Sequence, residues 1–481
     1  MSSQARQYIA RQEPYPRLSN RLLNSDDQHE SEQSRLWQAD FPFAPSRFPI
    51  FYGWVIVAIS TLAIIFSIPG QTMGFSVFTD VMMSQLDLSR VQLSTAYCIG
   101  TMLSGFTLPY LGRLFDRFGG RRMAVYSSLA TGLVLILLSF VAPLARTLAA
   151  AAGGGATTRL VIAFSLITIG FYLIRAAAQG VLTMTSRNVI GKWFDYHRGT
   201  ALALSGAVTA FAFSFAPRFL DSLITRFEYD GAWRLLGLLT ITVMAGLGWL
   251  LFRDNPEECG MVMDGPPRPG TRRKPHADSL THRDFPRAEA LRTWPFWAFN
   301  LSFAFFALFA TAYTFHIISI GAEAGRDKAD ILAYFVPMAV ASVATNLFCG
   351  WISSRTRLKD LLLLMLTSGL AGVIGVLYVG SPPGAVAFVL GNGICGGCFG
   401  ALSGIAWPRF FGRRWLGAIS GVAMSSMVIA SALGPIVFSL SLSWTGSYTP
   451  ILWISATIPA LLIAGSFRAD NPQRKEPPIN P

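Results

Sequence analysis

Residues 112–122 read GRLFDRFGGRR, a short charged stretch that separates two long apolar runs. Its glycines permit a tight turn and a close approach between helices. Its aspartate, Asp116, can accept hydrogen bonds from a nearby helix N-terminus and pair with arginines. The apolar runs on either side, 92–111 and 123–142, each have about the ~20 residues that cross a bilayer as a helix. The stretch therefore predicts a turn between two membrane-spanning helices.

The rest of the chain repeats this pattern of long apolar runs and short polar connections. Of its 481 residues, 52% are hydrophobic and only 14% are charged, against roughly 25% charged in a soluble domain. The runs do not alternate in polarity as β-barrel strands do, so α-helices are the expected spanning element. Twelve spans are predicted, at 52–77, 92–111, 123–142, 160–183, 200–218, 233–252, 296–320, 331–353, 361–380, 385–407, 417–438 and 448–467.

A polar segment at 253–292 divides the spans six and six, and the two halves resemble each other weakly. Gly112 to Arg117 at the end of span 2 has a counterpart in Gly350 to Arg355 at the end of span 8. Such internal symmetry is typical of transporters. We predict an all-α membrane protein with twelve transmembrane helices in two pseudo-symmetric six-helix bundles. The predicted segments are a polar tail without stable structure at 1–50, bundles at 51–252 and 293–468, a linker at 253–292 and a tail at 469–481.

Lysine and arginine are distributed unequally between the two sides. With the N-terminus inside, 30 of the 39 basic residues fall in cytoplasmic segments and 8 in external loops, and Arg175 lies within a span. This bias predicts that both termini are cytoplasmic. The net charge of +13 then faces anionic lipid, and nucleic acid is not an expected partner. We expect a multi-pass protein of the cell membrane, plasma or inner, and a monomer.

The 112–122 stretch resembles the signature between the second and third spans of the major facilitator superfamily, and residues from about 50 to 468 are similar to that superfamily. Several stretches look closest to its oxalate/formate antiporter and monocarboxylate transporter branch. These are Phe51–Trp54, Gly74–Phe78, Arg175-x-x-x-Gln179-Gly180, Asn255–Glu257 and Asp264-Gly265.

In the family this signature acts as a conformational latch and does not bind solute. The resemblance implies that role for the motif residues of this chain. The second-half copy departs from the pattern, because Ser354 stands where an acidic residue is expected, so a latch there would be weaker. The predicted latch residues are Gly112, Asp116, Arg117, Gly119, Arg121 and Arg122.

Arg175 is the candidate solute-binding residue. It lies near the middle of span 4, where a guanidinium costs about 2.5–3.5 kcal/mol on insertion scales. Tyr172, Gln179 and Thr183 recur with it at helical spacing and form one polar face. A guanidinium there can bind a carboxylate through two parallel hydrogen bonds. The alternative is a structural arginine that binds backbone carbonyls.

Other polar residues within the spans are weaker candidates. Gln71 follows the helix-breaking Pro69-Gly70, and Asn346 and Asn392 could bind solute or a neighbouring helix. His316 in span 7 is a candidate proton carrier because its ordinary pKa lies near 6.5, although a packed histidine is the competing interpretation. Alternative carriers at external span ends are Asp80, Asp221 and Glu323.

By these boundaries no aspartate or glutamate lies within a span. A cavity with one arginine and no acid favours an anionic solute. We therefore expect a secondary transporter of a small organic anion, monocarboxylate-like, that works by rocker-switch alternating access, with protons as the candidate coupling ion. The alternatives are an exporter of drugs or other solutes from the same superfamily and, less favoured, a non-transporting membrane sensor.

Enzymatic activity, cofactors and metals are not expected. The chain has no Walker A sequence to bind ATP, and its spans hold no nucleophile–base pair or metal-ligand cluster. Cys395 and Cys398 form a CxxC within a glycine-rich run, where close helix packing is a better interpretation than redox chemistry.

Overall fold

The computed structural model describes residues 36–266 and 281–475. Of the described residues, 45–266 and 281–475 belong to one compact unit, and 36–44, which consist of turns and bends, belong to a separate N-terminal unit. Most of the predicted N-terminal tail, the middle of the linker and the last six residues lie outside the described residues. The described chain is helical and contains no strand.

In the N-terminal half, the helices are interrupted at a proline–glycine pair and at two residues with positive φ. Span 1 is broken at Pro69–Gly70, as predicted, because proline cannot donate a helical hydrogen bond. Spans 2 and 3 are joined at Gly119 (φ 81°) and spans 5 and 6 at Glu228 (φ 60°). The helices are Gly53–Phe66, Thr72–Ser76 and Thr79–Leu86 (span 1); Arg90–Ser139 (spans 2 and 3); Val141–Ala151; Ala156–Ile174, a π-helical segment Arg175–Leu182 and Thr183–Trp193 (span 4); and Arg198–Leu239, a π-helical segment Thr240–Met244 and Ala245–Leu251 (spans 5 and 6).

The C-terminal half has more regular helices. Spans 7 to 12 are Trp294–Glu323, Lys328–Ala333 with Phe335–Ile352, Leu358–Leu377, Pro382–Phe411, Leu416–Thr445 and Thr449–Ser466. Short elements outside the spans are the helix Arg287–Ala290 and the 3₁₀ turns Pro45–Arg47, Glu257–Cys259 and Pro472–Lys475.

Nine helices of the described residues are long and apolar enough to cross a membrane. Two of these, Arg90–Ser139 and Arg198–Leu251, have 50 and 54 residues and each contains two predicted spans. Span 1 is divided into shorter helices by its break. The twelve predicted spans are thus accounted for, and the protein is an all-α, multi-pass membrane protein.

Each half has a buried apolar core of its own away from the 112–122 turn. In the N-terminal half the core includes Phe78, Phe171 and Trp233, and in the C-terminal half it includes Phe388 and Phe438. All five are at most 1% exposed. Lipid provides little hydrophobic driving force between helices, so close packing of such side chains holds the bundles together.

Span 4 is longer than predicted. Its predicted end is residue 183, but the helix continues to Trp193. Asn188 and Lys192 are buried on this last part of the helix, and Arg187 is half-buried. The hydropathy of these polar residues is too low to extend a predicted span, whereas packing against other helices shields them.

Candidate solute site and motif-end gate

The turn at 112–122 is built on Gly119. Its φ of 81° is a backbone conformation that glycine adopts without strain. A Cβ atom at Gly119 would lie 2.2 Å from Asp254 Oδ2. Asp254 follows span 6, and its Oδ1 accepts a hydrogen bond from the backbone nitrogen of Arg121 at 2.7 Å. The Arg121 side chain donates to the carbonyl oxygen of Trp249, so both groups hold the turn within the N-terminal half.

Asp116 connects the two halves. Its Oδ1 and Oδ2 accept hydrogen bonds of 2.7 Å from the backbone nitrogens of Gly417 and Ala418, in the first turn of span 11. Asp116 therefore accepts hydrogen bonds from a helix N-terminus, as the sequence predicts. The expected pairing with arginine is not made among the described residues, because Arg117 points to an exposed surface beside Phe118. Arg122 is half-buried.

Glycines allow the helices of the two halves to meet at this end of the molecule, which we call the motif end. A Cβ at Gly112 would lie 2.1 Å from the carbonyl oxygen of Gly417. The related pair Gly199 and Gly350 brings span 5 against span 8, where a Cβ at Gly199 would lie 2.2 Å from the Gly350 carbonyl oxygen. Helix backbones can approach this closely only where side chains are absent.

Acidic residues of the linker bind the motif-end loops, a role that the sequence analysis missed. Besides Asp254, Asp264 accepts from backbone nitrogens in the loop between spans 4 and 5, and Asp284 accepts from two in the loop between spans 10 and 11. Glu257 forms an ion pair with Arg413 at 2.8 Å between the halves. An Asp or Glu shortly after span 6 and shortly before span 7 is the signal that could have suggested these contacts.

Arg175, the predicted solute-binding residue, is buried and lacks a carboxylate partner among the described residues. It is 3% exposed. Its Nη1 donates to Thr72 Oγ1 at 3.3 Å, and its guanidinium carbon lies 5.3 Å from the centre of the Tyr97 ring. Its Nε is buried without a hydrogen-bond partner. A buried donor without an acceptor costs free energy of folding. The Nε of Arg175 can therefore still bind an acceptor such as a carboxylate.

Thr72 and Tyr97 cover Arg175, and sequence reasoning named neither as a site residue. Their hydroxyl oxygens lie 2.8 Å apart, and Thr72 is exposed. Tyr97 precedes Cys98, whose Sγ lies 3.9 Å from the Ala432 carbonyl oxygen of span 11. Span 2 therefore contacts the C-terminal half next to Tyr97. Thr72 and Tyr97 lie between the Arg175 guanidinium and the boundary between the halves.

The break in span 1 packs against a π-helical segment of span 4 that begins at Arg175. A Cβ at Gly70 would lie 2.5 Å from that of Ala178. Gln71 donates to Ser67 Oγ at 2.9 Å, and Ser67 Oγ lies 3.2 Å from Thr183 Oγ1. π-Helical segments inside α-helices are frequent at functional sites. This one, in span 4, packs against the break in span 1.

The remaining polar candidates of span 4 lie beside Arg175. Gln179, four residues further along the π-helical segment, is half-buried, and its Oε1 is buried without a hydrogen-bond partner. Tyr172 is half-buried. The structure thus places Tyr172, Arg175, Gln179 and Gln71 in the same region, where span 1 is broken.

Asn346 and Asn392 differ in their surroundings. A Cβ at Gly206 of span 5 or at Gly400 of span 10 would lie 2.9 Å or 2.4 Å from Asn346 Nδ2, so Asn346 lies between the halves. Its Oδ1 is buried without a partner. Asn392 instead donates to the Phe388 carbonyl oxygen of its own helix at 3.0 Å and packs against span 9, an arrangement that favours a packing role.

His316 lies within the C-terminal half, between spans 7, 11 and 12. Its Nε2 lies 3.0 Å from the Pro435 carbonyl oxygen, and its Nδ1 lies 3.1 Å from the Tyr448 hydroxyl oxygen. The carbonyl can only accept, so Nε2 carries a proton. Nδ1 accepts from the Tyr448 hydroxyl when the ring is neutral and donates to it when the ring is protonated. Both ring nitrogens are therefore satisfied by protein groups, as in the packed-histidine interpretation.

The cysteines of the CxxC do not bond to each other. Cys398 Sγ lies 3.6 Å from Cys349 Sγ of span 8, and Cys395 packs against Gly369 of span 9. All three are buried, free thiols. The glycine-rich run of span 10 thus brings spans 8 and 9 close to it, in agreement with a packing role.

The family model described as "Major Facilitator Superfamily" matches residues 60–435. The chain belongs to the Major Facilitator Superfamily. The match covers most of both halves, so it includes the 112–122 turn, the break in span 1 and the region around Arg175. The protein is therefore a membrane transporter of a small solute by family. No curated protein sequence matches the chain, and assignment to the oxalate/formate or monocarboxylate branch rests on the short stretches above.

Solved structures support the same fold for this superfamily member. The E. coli fucose:proton symporter matches with a TM-score of 0.59 at 15% identity, over 87% of this chain and 99% of that one. A second structure of that transporter, described as in the outward conformation, matches equally well. A bacterial homologue of the iron transporter ferroportin, described as outward-facing, matches with a TM-score of 0.60 at 13% identity, over 86% and 99%.

Polar contacts and close glycine approaches join the halves of this transporter at the motif end. They include the hydrogen bonds from Gly417 and Ala418 to Asp116, the glycine approaches, the Glu257–Arg413 ion pair, and a hydrogen bond of 2.8 Å from Asn188 to Ser420. The motif end is therefore closed in this conformation.

Proposed function

We propose that this superfamily member is a secondary transporter of small organic anions, of the monocarboxylate class, that works by rocker-switch alternating access. The observation that carries the proposal is Arg175, a buried guanidinium at the broken part of span 1 with an unpartnered Nε. Arginine is the side chain whose planar pair of donors matches a carboxylate. We also assign to solute contact Gln179 and Tyr172 of span 4, Gln71 at the break in span 1, and Asn346 at the boundary between the halves.

The distribution of acids supports an anionic solute. By the predicted boundaries, the spans hold no aspartate or glutamate, and the described residues pair no carboxylate with Arg175. A cationic solute would need a buried negative charge, whereas an anion supplies the charge that Arg175 lacks. A bound anion would compensate the buried positive charge of the guanidinium, and this compensation would favour binding of an anion over a neutral or cationic solute.

Access to Arg175 requires movement of the residues that cover it. Thr72 accepts the Arg175 hydrogen bond, and Tyr97 covers the guanidinium. An arriving carboxylate would replace Thr72 as the acceptor, and the freed Thr72 hydroxyl could donate to the same carboxylate. We assign Thr72 and Tyr97 to the solute site on this basis.

The orientation follows from the charge distribution and is part of the proposal. With both termini cytoplasmic, the motif end is the cytoplasmic end, and its closure corresponds to an outward-facing conformation. The protein would lie in the plasma or inner membrane as a monomer. Coupling to protons through His316 would require that its contacts with Pro435 and Tyr448 change during the transport cycle.

The test is a screen with two measurements: the thermal shift of the purified protein, and uptake into proteoliposomes that contain it. The panel holds lactate, pyruvate, formate, acetate and oxalate, with fucose, ferrous iron and a cationic drug as representatives of other solute classes. Ligands that bind the folded state raise its melting temperature. We expect stabilisation and uptake for carboxylates, both weakened in Arg175→Ala protein. Stabilisation and uptake for only neutral or cationic compounds would overturn the proposal.

A further inference from the structure

Arg187 lies at the boundary between the halves, near the motif end of span 4. It belongs to the helix Thr183–Trp193, which continues past the predicted end of the span. Its Nη1 donates to Ser403 Oγ of span 10 at 3.0 Å. Its neighbour Asn188 donates to Ser420 of span 11. Two consecutive residues of the N-terminal half thus contact two different helices of the C-terminal half.

The guanidinium of Arg187 is under-used by the protein. It has five N–H donors, and its hydrogen bond to Ser403 is the one that the described residues provide. No carboxylate of the described residues forms an ion pair with it. Two buried arginines at this end have more partners: Arg198 binds two carbonyl oxygens and Asp195, and Arg409 binds the carbonyl oxygens of Ser353 and Thr356.

Arg187 and Arg175 share one helix. Twelve residues separate them, which corresponds to on the order of 18 Å at a helical rise of about 1.5 Å per residue. Arg175 is covered by Thr72 and Tyr97 of the N-terminal half, whereas Arg187 is half-buried and contacts the C-terminal half. The two arginines therefore lie at successive levels along span 4.

We propose that Arg187 is a second anion-binding residue, which receives the solute on the motif-end side when the halves separate there. The proposal rests on the proposed function, because it assigns a further contact for the same anionic solute. In the closed conformation Ser403 occupies one donor of Arg187. When the motif end opens, spans 4 and 10 separate, and the guanidinium loses its hydroxyl partner. A carboxylate that leaves Arg175, or enters from the motif-end side, can then replace Ser403.

The test measures the apparent KM for [14C]lactate and [14C]oxalate from each face of oriented vesicles. Maleimide labelling of Lys328→Cys and Arg355→Cys protein identifies the motif-end face. Arg187→Gln removes the charge but keeps a donor for Ser403, whereas Ser403→Ala keeps the charge and removes the hydrogen bond. Arg218→Gln, at an exposed position in span 5, is the matched control.

We expect Arg187→Gln to raise KM about tenfold at the motif-end face, corresponding to one charge-assisted hydrogen bond, and to leave KM at the opposite face within twofold. Ser403→Ala should leave KM near wild type at both faces. Arg187→Lys, which keeps the charge, should lie between wild type and Arg187→Gln, and it serves as the test if the glutamine variant does not fold.

Two failures can be told apart. If wild-type protein transports neither anion but transports fucose or a cation, the proposed function is wrong and the inference is overturned with it. If wild-type protein transports an anion, and Arg187→Gln leaves the motif-end KM unchanged or Ser403→Ala reproduces its effect, only the inference is overturned. Arg187 would then be a structural contact between the halves.

Discussion

Asp116 Oδ2 lies 2.7 Å from the backbone nitrogen of Ala418, although 302 residues separate the two in sequence. The bond joins the end of span 2 to the first turn of span 11. A carboxylate is favourable there because the helix N-terminus carries unpaired N–H groups and a partial positive charge. We expect opening of the motif end to break this bond, so that Asp116 stabilises the closed conformation and not the open one.

Asp116→Asn should impair turnover more than solute binding. Asparagine keeps one acceptor but loses the charge, and a charge-assisted hydrogen bond exceeds a neutral one by about 1–1.5 kcal/mol. The closed-to-open ratio should therefore fall about tenfold, measured as spin-label distances across the motif end. Asp330→Asn, at an exposed site, is the control. Loss of binding affinity with unchanged distances would contradict the latch role.

Gly112→Ala should prevent full closure of the motif end. The added Cβ would lie 2.1 Å from the Gly417 carbonyl oxygen. The Cβ is fixed to one helix backbone and the oxygen belongs to another, so neither can move away without a shift of its helix. We expect spin-label distances across the motif end to lengthen and uptake to fall. Gly246→Ala is the matched control, because a Cβ there meets no atom within 4 Å. Wild-type distances and uptake in Gly112→Ala protein would show that closure does not depend on this glycine contact.

The Glu257–Arg413 ion pair should contribute less to closure than Asp116 does. Its side chains are 30% and 27% exposed, and exposed ion pairs contribute about 0.2–1 kcal/mol. A double-mutant cycle with Glu257→Gln and Arg413→Gln should give a coupling in that range, smaller in high salt. The charge swap should restore closure only in part, because Arg413 also donates to the Lys192 carbonyl oxygen. A coupling above about 2 kcal/mol, beyond the range for exposed pairs, would make this pair the principal latch.

Arg175→Ala should weaken anion binding by roughly 10- to 150-fold, since one charge-assisted hydrogen bond contributes about 1.5–3 kcal/mol. Arg175→Lys should restore binding incompletely, because lysine keeps the charge and loses the planar two-donor fork. Binding is measured by calorimetry on monodisperse protein, with Arg218→Ala as control. Wild-type affinity in well-folded Arg175→Ala protein would return Arg175 to a structural role.

A cysteine at position 328 should react with an impermeant maleimide from outside intact cells, and one at position 355 should react only after permeabilisation. The first lies before the long part of span 8, and the second lies after it. Both native side chains are exposed, so reactivity reports the side of the membrane. The reverse pattern would invert the predicted topology and make the present conformation inward-facing.

Much of the site region could be predicted because its signals are local. Pro69–Gly70 breaks span 1 because proline has no backbone N–H to donate. Gly112, Gly119 and Asp116 mark the turn between spans 2 and 3. Arg175 stands out as a charge within an apolar run. Of the covering residues, Thr72 was marked only by its place after Pro69–Gly70, and Tyr97 carried no local signal. Hydroxyl side chains are common in helices, and only their contact with Arg175 makes these two relevant.

The sequence by itself determined the membrane class, the twelve helices and the fold family, and it marked Arg175 as the candidate solute-binding residue. These follow from the bilayer, which acts as a solvent on each span separately, so that a window of about 20 residues carries the information. The tertiary structure alone decided that Asp116 meets Ala418, that linker acids bind three loops, and that Arg187 lies against Ser403. These contacts join residues more than 60 positions apart, and a hydrogen bond over that separation depends on how the helices pack and leaves no periodic pattern in the chain.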